Sequence, residues 1–433
     1  MRSSDRMDVR DPMSTVVALE AFTGRGAGRD AERRAARWLT ERCSAAGSEV
    51  VVETFWCRPD WALTALWHLG LGIAGSLMSL AAPVAGVAIL ALALVSILSD
   101  SLAGMSLGRR LTRERASQNV IASRKPDRSE AAPAMAESSP PTRLILTANY
   151  DAGRIGLVHR IRPVTARLVR ALHGATPGWL GWTAIATAWL LAVAILRQTG
   201  DTSHAISAVQ FPPTVGLLLG FALLVELGTG DWSPAAGDNV TGVATALEVA
   251  GALAAAPPQH LTVELLLTGA GDGEPIGLRR YLRARRREQT QGSRRRRGQR
   301  SAPPTVVVGF APCAGGAPRW WRSDGSLLPL GFSRSLVRIA QQVQNDEPHL
   351  GLAAHRGRGN GGAFAARAAG LPAITIGCLD EREVPPRSHT RGDTSATVDR
   401  HAIERAVQFA LLLVDGIDAA VGKTRAERPA APA

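Results

Sequence analysis

Three aspartates and one histidine are the residues of this sequence whose types and positions could support metal binding. Asp151 follows a short apolar run at 144–148, and Asp272 follows another at 261–268. Asp238 precedes a helical pattern at 240–255, and His389 opens a segment that reads H-T-R-G-D-T. Carboxylate oxygens with a single imidazole can bind one hard cation, although so few ligands make a weak site. The residues therefore indicate at most a weak site for one metal ion.

The elements that must position these side chains alternate between strand and helix. Apolar periodicity predicts helices over residues 30–43, 240–255 and 400–414. Short runs rich in Val, Leu and Ile predict strands over 49–55, 119–122, 144–148, 261–268, 305–310 and 373–376. Alternating strands and helices favour an α/β domain with a sheet covered on both faces.

Two apolar regions interrupt these elements and are long enough to cross a membrane. Residues 61–99 contain no Asp, Glu, Lys or Arg, about twice the roughly 20 residues that one crossing needs. They predict a helical hairpin that turns at Ala82, Pro83 and Val84, with Trp61 and Trp67 at the interface. Residues 179–196 and 211–225 predict a second hairpin, for which buried or re-entrant helices are the alternative. The bilayer is thus a predicted partner.

Charge and cysteine content predict where the soluble part lies. The formal charge is +13, which favours an anionic neighbour, and arginines cluster beside the hairpins rather than at their tips. The positive-inside rule then places the soluble domain in the cytoplasm, at a bacterial inner or plasma membrane. The four cysteines form no CxxC pair, which agrees with a reducing compartment, and no secretory signal is expected before residue 58.

A basic run separates two of the predicted elements. It covers residues 283–300, from Arg283 to Arg300, and is broken by Gln and Gly. It is either a solvated, disordered insertion or a segment that contacts anionic lipid. Nucleic acid is not an expected partner, because the run lacks interleaved aromatics for base stacking.

Segments 117–122, 147–151, 234–242, 268–281, 369–373 and 389–394 contain short motifs. Their order resembles one family, the zinc exopeptidases of the aminopeptidase Y and bacterial leucyl aminopeptidase type. S-Q-N-V-I-A at 117–122 resembles S-x-N-V-I-A, T-A-N-Y-D at 147–151 resembles G-A-H-Y-D, and P-A-A-G-D-N-V-T-G at 234–242 resembles P-G-A-D-D-N-A-S-G. Further matches are T-G-A-G-D-G-E at 268–274 with Gly277 and Tyr281, A-G-L-P-A at 369–373, and H-T-R-G-D-T at 389–394. The resemblance implies a mixed-sheet, three-layer zinc-exopeptidase-like (phosphorylase/hydrolase-like) domain with two inserted transmembrane hairpins.

The same resemblance implies that the family's two-zinc chemistry is largely lost. The position of the first ligand histidine is Asn149, the bridging aspartate position is Gly237, and the general-base position is Gly271. A further ligand position is Pro312, and the ligand glutamate has become Asp272, while His389 is unchanged. Glycine and proline side chains can neither coordinate zinc nor accept a proton.

Three functions stay open on this reading. The preferred one is a membrane-anchored pseudopeptidase that binds a peptide or protein partner, with no catalytic residue and no bound metal expected. The second is an active zinc aminopeptidase with a rearranged metal site, and the third is a membrane scaffold or transporter accessory subunit. Asn149, Asp151, Asp238, Asp272 and His389 form the predicted partner cleft, and Asp238, Asp272 and His389 are the residual metal candidates.

The predicted boundaries divide one aminopeptidase-like domain by two hairpins. The domain takes residues 1–60, 105–173 and 230–420, the hairpins take 61–104 and 174–229, the Arg-rich insertion takes 283–304, and 421–433 form a disordered tail.

Overall fold

The computed structural model describes residues 11–123, 141–161, 164, 176–201, 203–295 and 303–427. The helices, in chain order, are α1 Pro12–Glu20, α2 Asp30–Ala45, α3 Trp61–Ala81, α4 Pro83–Ala103, α5 Leu107–Leu111, α6 Trp179–Gln198, α7 His204–Thr229, α8 Thr241–Ala255, α9 Ile276–Arg295, α10 Arg334–Asp346, α11 Phe364–Ala368 and α12 Arg400–Ala426. The strands are β1 Glu49–Cys57, β2 Arg115–Ser123, β3 Thr142–Asn149, β4 Leu261–Thr268, β5 Thr305–Phe310, β6 Ala317–Asp324, β7 Leu330–Gly331, β8 Ala353–Arg356 and β9 Ala373–Leu379.

The strands form one mixed sheet in the order β1-β2-β4-β3-β5-β9-β6-β7, with β8 paired to β6. Its centre is parallel, because β3 runs parallel to both β4 and β5, and β5 runs parallel to β9. Strands β1 and β2 extend it antiparallel on one side, and β6 does so on the other. The mixed α/β sheet predicted from the sequence is confirmed.

Alternating side chains of the central strands enter two separate cores. Leu144 and Leu146 of β3 lie in the larger core, which contains residues of α1, α2, α8, α10 and α12. Ile145, between them, lies in the smaller core with Leu278 of α9 and Ala365 of α11. Because successive strand residues point to opposite faces, both faces must be apolar, which explains why these strands read as continuous apolar runs.

Four helices, α3, α4, α6 and α7, are long and apolar enough to cross a membrane. They share a core that includes Leu69, Leu90 and Leu217. Other large apolar side chains of the same helices remain exposed, among them Val84 at 65% and Leu219 at 63%. The helices end near their predicted limits except α7, which begins seven residues before the predicted Phe211.

The early start of α7 places Pro212 and Pro213 inside the helix. Proline cannot donate the backbone hydrogen bond to the residue four positions before it. The Val209 carbonyl, which Pro213 leaves without its helical donor, accepts a hydrogen bond from the Trp189 indole of α6 at 3.2 Å. The neighbouring helix thus compensates for the proline.

The basic run begins as a helix, which the prediction of a disordered insertion did not anticipate. Helix α9 continues to Arg295, and residues 296–302 lie outside the described residues. Its first turns are held because Leu278 and Tyr281 are buried against the sheet. Arg285 then pairs with Glu53 of β1 at 2.8 Å, and Arg283 donates to the Ala103 carbonyl at the end of α4.

An ion-paired joint connects the four apolar helices to the sheet domain. Arg109 of α5 bonds both carboxylate oxygens of Asp100 on α4, at 2.8 and 2.9 Å. The same guanidinium lies 2.6 Å from the Glu274 carboxylate, which belongs to the loop after β4. Ser106 caps α5 by accepting from the Arg109 amide, and so holds Arg109 in place. All three charged side chains are at least 80% buried.

Candidate functional site

The predicted cleft residues lie beyond the carboxyl ends of the parallel strands. Asn149 is the last residue of β3, and Asp151 follows it; Asp272 lies four residues after the end of β4. Asp238 lies in a single π-helical turn at 236–240 that leads directly into α8. Ligands of open α/β sheets commonly bind in the crevice at this edge.

Asp238, Asp272 and His389 come together at this edge although 34 and 117 residues separate them along the chain. The His389 Nε2 atom lies 3.0 Å from Asp238 Oδ2 and 3.5 Å from Asp272 Oδ1. All three ligand atoms lie within 4.8 Å of one another. The three residual metal candidates of the sequence therefore form one cluster.

The protonation of His389 decides what this cluster can bind. The Arg154 carbonyl lies 3.1 Å from His389 Nδ1, so Nδ1 carries a hydrogen and donates it. In a neutral ring Nε2 then presents a lone pair to two carboxylates, and three acceptors face one another. The cluster is balanced by a proton on Nε2 or on one of the two carboxylates, or by a bound cation.

The donor set fits one zinc ion. Ligand atoms about 2.0–2.2 Å from a tetrahedral zinc lie about 3.3–3.6 Å from each other, close to both measured separations. The bond from His389 Nδ1 to a carbonyl is the kind of support that orients a metal-ligating imidazole. Asp238 is likewise oriented, because it accepts from Ser388 Oγ at 3.1 Å. Zinc bound here would supply Lewis acidity, and the three side chains would hold it.

Asp151 lies beside the cluster but is used to hold the backbone. Its two carboxylate oxygens accept from the amides of Gly271 and Asp272, both at 3.0 Å. Burial, with the nearby charges of Glu32 and Asp272, raises the pKa of Asp151 well above its ordinary value. Burial likewise raises the pKa of Asp272. These carboxylates therefore share a site in which negative charge is costly, and a cation is the natural neighbour for them.

Asn149 and Gly271 pack against each other where the resemblance placed a ligand and a base. The Asn149 amide donates to the Gly271 carbonyl at 3.2 Å and accepts from Thr268 Oγ1 at 2.7 Å. A Cβ atom on residue 271 would lie 2.2 Å from Asn149 Cγ. The space beside Gly271 is therefore filled by an amide side chain.

A second glycine position is closed in a similar way. The Gly237 amide donates to Asp393 Oδ1 at 2.6 Å, and a Cβ atom on residue 237 would also lie 2.6 Å from that oxygen. Burial and the neighbouring Asp238 raise the pKa of Asp393 to about 7. Asp393 thus occupies part of the space that a bridging carboxylate at 237 would need.

Backbone strain is concentrated at the cluster. Of the five non-glycine residues with positive φ in the described chain, three adjoin or belong to it: Ala235, Ala270 and His389, at 51°, 48° and 56°. Each such residue costs about 1–3 kcal/mol and persists only where its surroundings impose it. The buried Glu32 carboxylate imposes one of them by accepting from the Ala270 amide at 3.0 Å.

A cavity of about 40 Å³ opens beside Asp272 and His389, with room for a few water molecules. Its described lining includes three arginines, Arg29, Arg115 and Arg154, and the side chains of Trp61 and Trp232. Arg29 and Arg154 both lie over the Trp232 ring, at 5.1 and 4.4 Å from its centroid. The same lining includes the carboxylates of Asp60, Asp151 and Asp272, so acidic and basic groups face each other across the cavity.

Several residues that build this site were missed by sequence reasoning. Arg25, almost fully buried, donates to the carbonyls of Tyr150, Pro234 and Ala235 and so joins the loops that carry Asp151 and Asp238. His159 stacks on His389 with ring centroids 4.0 Å apart. A lone arginine after Gly24 and a histidine in a basic stretch carry no local signal for either role. Glu274, the next carboxylate along the chain after Asp272, is bound to Arg109.

Comparison with solved structures finds a glutaminyl cyclase, an aminopeptidase and a zinc-dependent exopeptidase, all at low sequence identity. The chain is similar to Fimbriiglobus ruber glutaminyl cyclase, with 14% identity, a TM-score of 0.49 and coverage of 96% of this chain and 97% of that one. It is similar to the Legionella pneumophila LapA aminopeptidase, with 11% identity, a TM-score of 0.49 and coverage of 95% and 72%. It is also similar to a Zn-dependent exopeptidase from Parabacteroides distasonis, with 12% identity, a TM-score of 0.46 and coverage of 94% of this chain and 97% of that one. No protein-family model and no curated protein sequence matches the chain.

Proposed function

We propose that this chain is a membrane-anchored protein with an aminopeptidase-like domain that binds a peptide or protein partner without hydrolysing it. The observation that carries the proposal is at Gly271. That position has no side chain to accept a proton, and Asn149 packs against its Cα. Hydrolysis by a metal-activated water needs a base beside the metal.

The other carboxylates near the cavity are already engaged. Asp151 accepts from two backbone amides, and Asp272 faces His389 as a candidate ligand. Glu274 is held by Arg109 at 2.6 Å. Among the described residues that line the cavity, Asp60 is the remaining carboxylate, and it lies on the rim beside Trp61.

The three arginines that line the cavity beside His389 favour an anionic partner. An aminopeptidase must accept the α-ammonium group of its substrate, which is best met by carboxylates or carbonyls. Here Arg29, Arg115 and Arg154 line the cavity, while Asp151 and Asp272 in the same lining are engaged by backbone amides and by His389. Guanidinium groups bind carboxylates through paired hydrogen bonds. The partner that fits is therefore a carboxylate-bearing chain end or an acidic segment.

Membrane anchoring is supported by the four apolar helices. Their outward side chains, such as Val95 at 62% and Trp189 at 52% exposure, would otherwise leave a large apolar surface in water. The turns at residue 82 and at 199–203 are short, so the sheet domain can lie on one side of the bilayer. Trp61 and Trp179, which begin α3 and α6, contact each other with ring centroids 5.8 Å apart and mark the domain-facing level.

The first experiment measures hydrolysis of aminoacyl anilides and the zinc content of the detergent-purified chain. We expect no turnover above that of His389→Ala, whether the chain carries no zinc or one ion. Two zinc ions per chain, with turnover that the His389→Ala variant loses, would contradict the proposal. Asp231→Asn, which alters an exposed carboxylate, is the matched control.

A one-zinc enzyme is the second candidate, and the spacing of Asp238, Asp272 and His389 favours it. The same assay separates the two functions. Turnover that requires one zinc per chain, and that Asp238→Asn and Asp272→Asn abolish, would establish the second candidate in place of the first.

The side of the membrane on which the domain lies is a separate proposal, the cytoplasm. All four native cysteines are buried, so a cysteine introduced at the surface can be labelled selectively. We expect a membrane-impermeant maleimide to label Ser203→Cys in intact cells and to label Arg110→Cys only after lysis. The reverse pattern would place the domain outside.

A further inference from the structure

A second, larger cavity lies where the apolar helices meet the sheet domain. This groove has a volume of about 830 Å³ and runs between α3, the end of α5 and α7. Its deeper wall is apolar and includes Leu66, Gly70 and Phe221. Phe221 is half-buried and lies near Gly70, so the two helices leave an open space rather than packing tightly there.

The depth of the groove matches one leaflet of a bilayer. Its lining on α3 extends from Leu63 to Leu71, which spans about 12 Å at 1.5 Å per residue. Half of the hydrocarbon core of a membrane is about 15 Å thick. The groove therefore extends from the domain-facing surface toward the middle of the apolar helices.

Three arginines line the upper end of the groove. They are Arg113, Arg115 and Arg154, and among the described residues none of them forms an ion pair within 4.0 Å. Asp60 is the single carboxylate in the described lining, so positive charge is in excess. Burial lowers the pKa of Arg154, the nearby Asp60 carboxylate partly offsets this, and the charges of Arg29 and Arg115 lower the pKa further. An anion at this point would relieve that repulsion.

We propose that this groove binds one anionic phospholipid, with its phosphate at the three arginines and its acyl chains along the Leu66, Gly70 and Phe221 wall. The charge selects an anion, and the apolar wall below it selects one that carries a hydrocarbon tail. An acidic peptide would satisfy the arginines but would leave its backbone polar groups against apolar side chains. The inference rests on the membrane-anchoring part of the proposed function and is independent of whether the cleft hydrolyses peptides.

The test is native mass spectrometry of the full chain, released from a neutral detergent and titrated with dioleoyl phosphatidylglycerol, dioleoyl phosphatidylcholine or inorganic phosphate. We expect one phosphatidylglycerol per chain, bound at least tenfold more strongly than phosphatidylcholine. Inorganic phosphate at millimolar concentration should not displace it, because phosphate lacks the apolar tail.

Two variants test the two halves of the site. Gly70→Leu fills the groove without changing charge, since a Cβ atom there meets only Phe221 at an ordinary 3.6 Å, and it should abolish the one-to-one adduct. Gly216→Leu, on the exposed face of α7 with nothing within 4 Å, is its matched control and should bind as the wild type does. Arg113→Gln should weaken phosphatidylglycerol binding about fivefold. Arg286→Gln, an exposed arginine outside the described lining of the groove, should leave it unchanged.

Equal binding of the two lipids, full displacement by phosphate, or a Gly70→Leu variant that binds normally would overturn the proposal. Stronger binding of an acidic peptide than of phosphatidylglycerol, lost in Arg113→Gln, would overturn it in favour of a peptide site. Failure of membrane anchoring is distinguishable, because the chain would then remain soluble without detergent.

Discussion

The joint at Arg109 and the cluster at His389 are both buried groups of charges, yet they are built in opposite ways. At the joint one guanidinium meets two carboxylates and a backbone carbonyl, so each carboxylate has a cationic donor. At the cluster two carboxylates face one imidazole, whose other nitrogen donates to the Arg154 carbonyl. Each carboxylate of the joint accepts a hydrogen bond from a guanidinium, whereas the two carboxylates of the cluster share one imidazole nitrogen and need a proton or a cation.

The difference indicates which buried charges serve structure and which serve binding. A buried ion pair with all its hydrogen bonds made has nothing left to offer a ligand. The cluster at His389 is different, because its two carboxylates share one imidazole nitrogen, its backbone is strained and it opens to a cavity. It can therefore bind a cation. The following predictions test this contrast, beginning with the largest expected effect.

Removing the cation of the joint should be the most damaging change. Arg109→Ala leaves the carboxylates of Asp100 and Glu274 buried without their partner, and we expect a loss of about 3–5 kcal/mol of stability. Thermal unfolding in detergent measures it. Arg110→Ala, the exposed neighbour, is the control and should change little. Equal melting temperatures for the two variants would show that the joint does not depend on this ion pair.

Supplying a cation to the cluster should have the opposite effect. Zinc at a hundred times its dissociation constant should stabilise the chain by about 2.7 kcal/mol. Asp238→Asn and Asp272→Asn should lose this stabilisation, while Asp231→Asn keeps it, because Asp231 is exposed and is not a member of the triad. If zinc raises the melting temperature of the triad variants as much as that of the wild type, it binds elsewhere.

Gly271 can be tested as a packing position. Gly271→Ala places a Cβ atom 2.2 Å from Asn149 Cγ, and we expect a loss of about 1–3 kcal/mol. The cost should shrink in an Asn149→Ala background, because the two residues are in direct contact. Gly251→Ala, exposed on α8 with open space around it, should be neutral or stabilising. Additive effects of the two cleft substitutions would refute this packing.

Glu32, which supports the strained backbone at Ala270, should have the smallest effect, a change in how stability depends on pH. Burial raises the pKa of Glu32 to about 7 from its usual 4.5, so the folded chain binds a proton there that the unfolded chain has released. Stability should therefore fall as the pH rises from about 4.5 to 7, by at most about 1.4 kcal/mol per pH unit from this group. Glu32→Gln should flatten that slope, and Glu41→Gln, exposed on the same helix, should not. Parallel slopes for all three chains would exclude Glu32 as the cause.

The interior of the fold was more predictable than its edges. The limits of β4 and β5 agree with the predicted 261–268 and 305–310, because buried central strands are continuous apolar runs between polar loops. Strands β6 and β8 were missed, since A-P-R-W-W-R-S-D and A-A-H-R alternate irregularly and contain basic residues. The start of α7 was missed because the polar residues before Phe211 indicated a loop. The helix begins at His204 instead, and a hydrogen bond from Trp189 of another helix compensates for Pro213.

The sequence by itself determined the α/β pattern and the two pairs of apolar helices, since composition and periodicity are local properties. Tertiary structure alone decided that Glu274 pairs with Arg109, 165 residues away, and that Asp238, Asp272 and His389 converge. It also decided that a groove lined by arginines opens between α3 and α7. The physical reason is that such contacts depend on how separate loops and helices pack, and neighbouring residues in the chain carry no record of that.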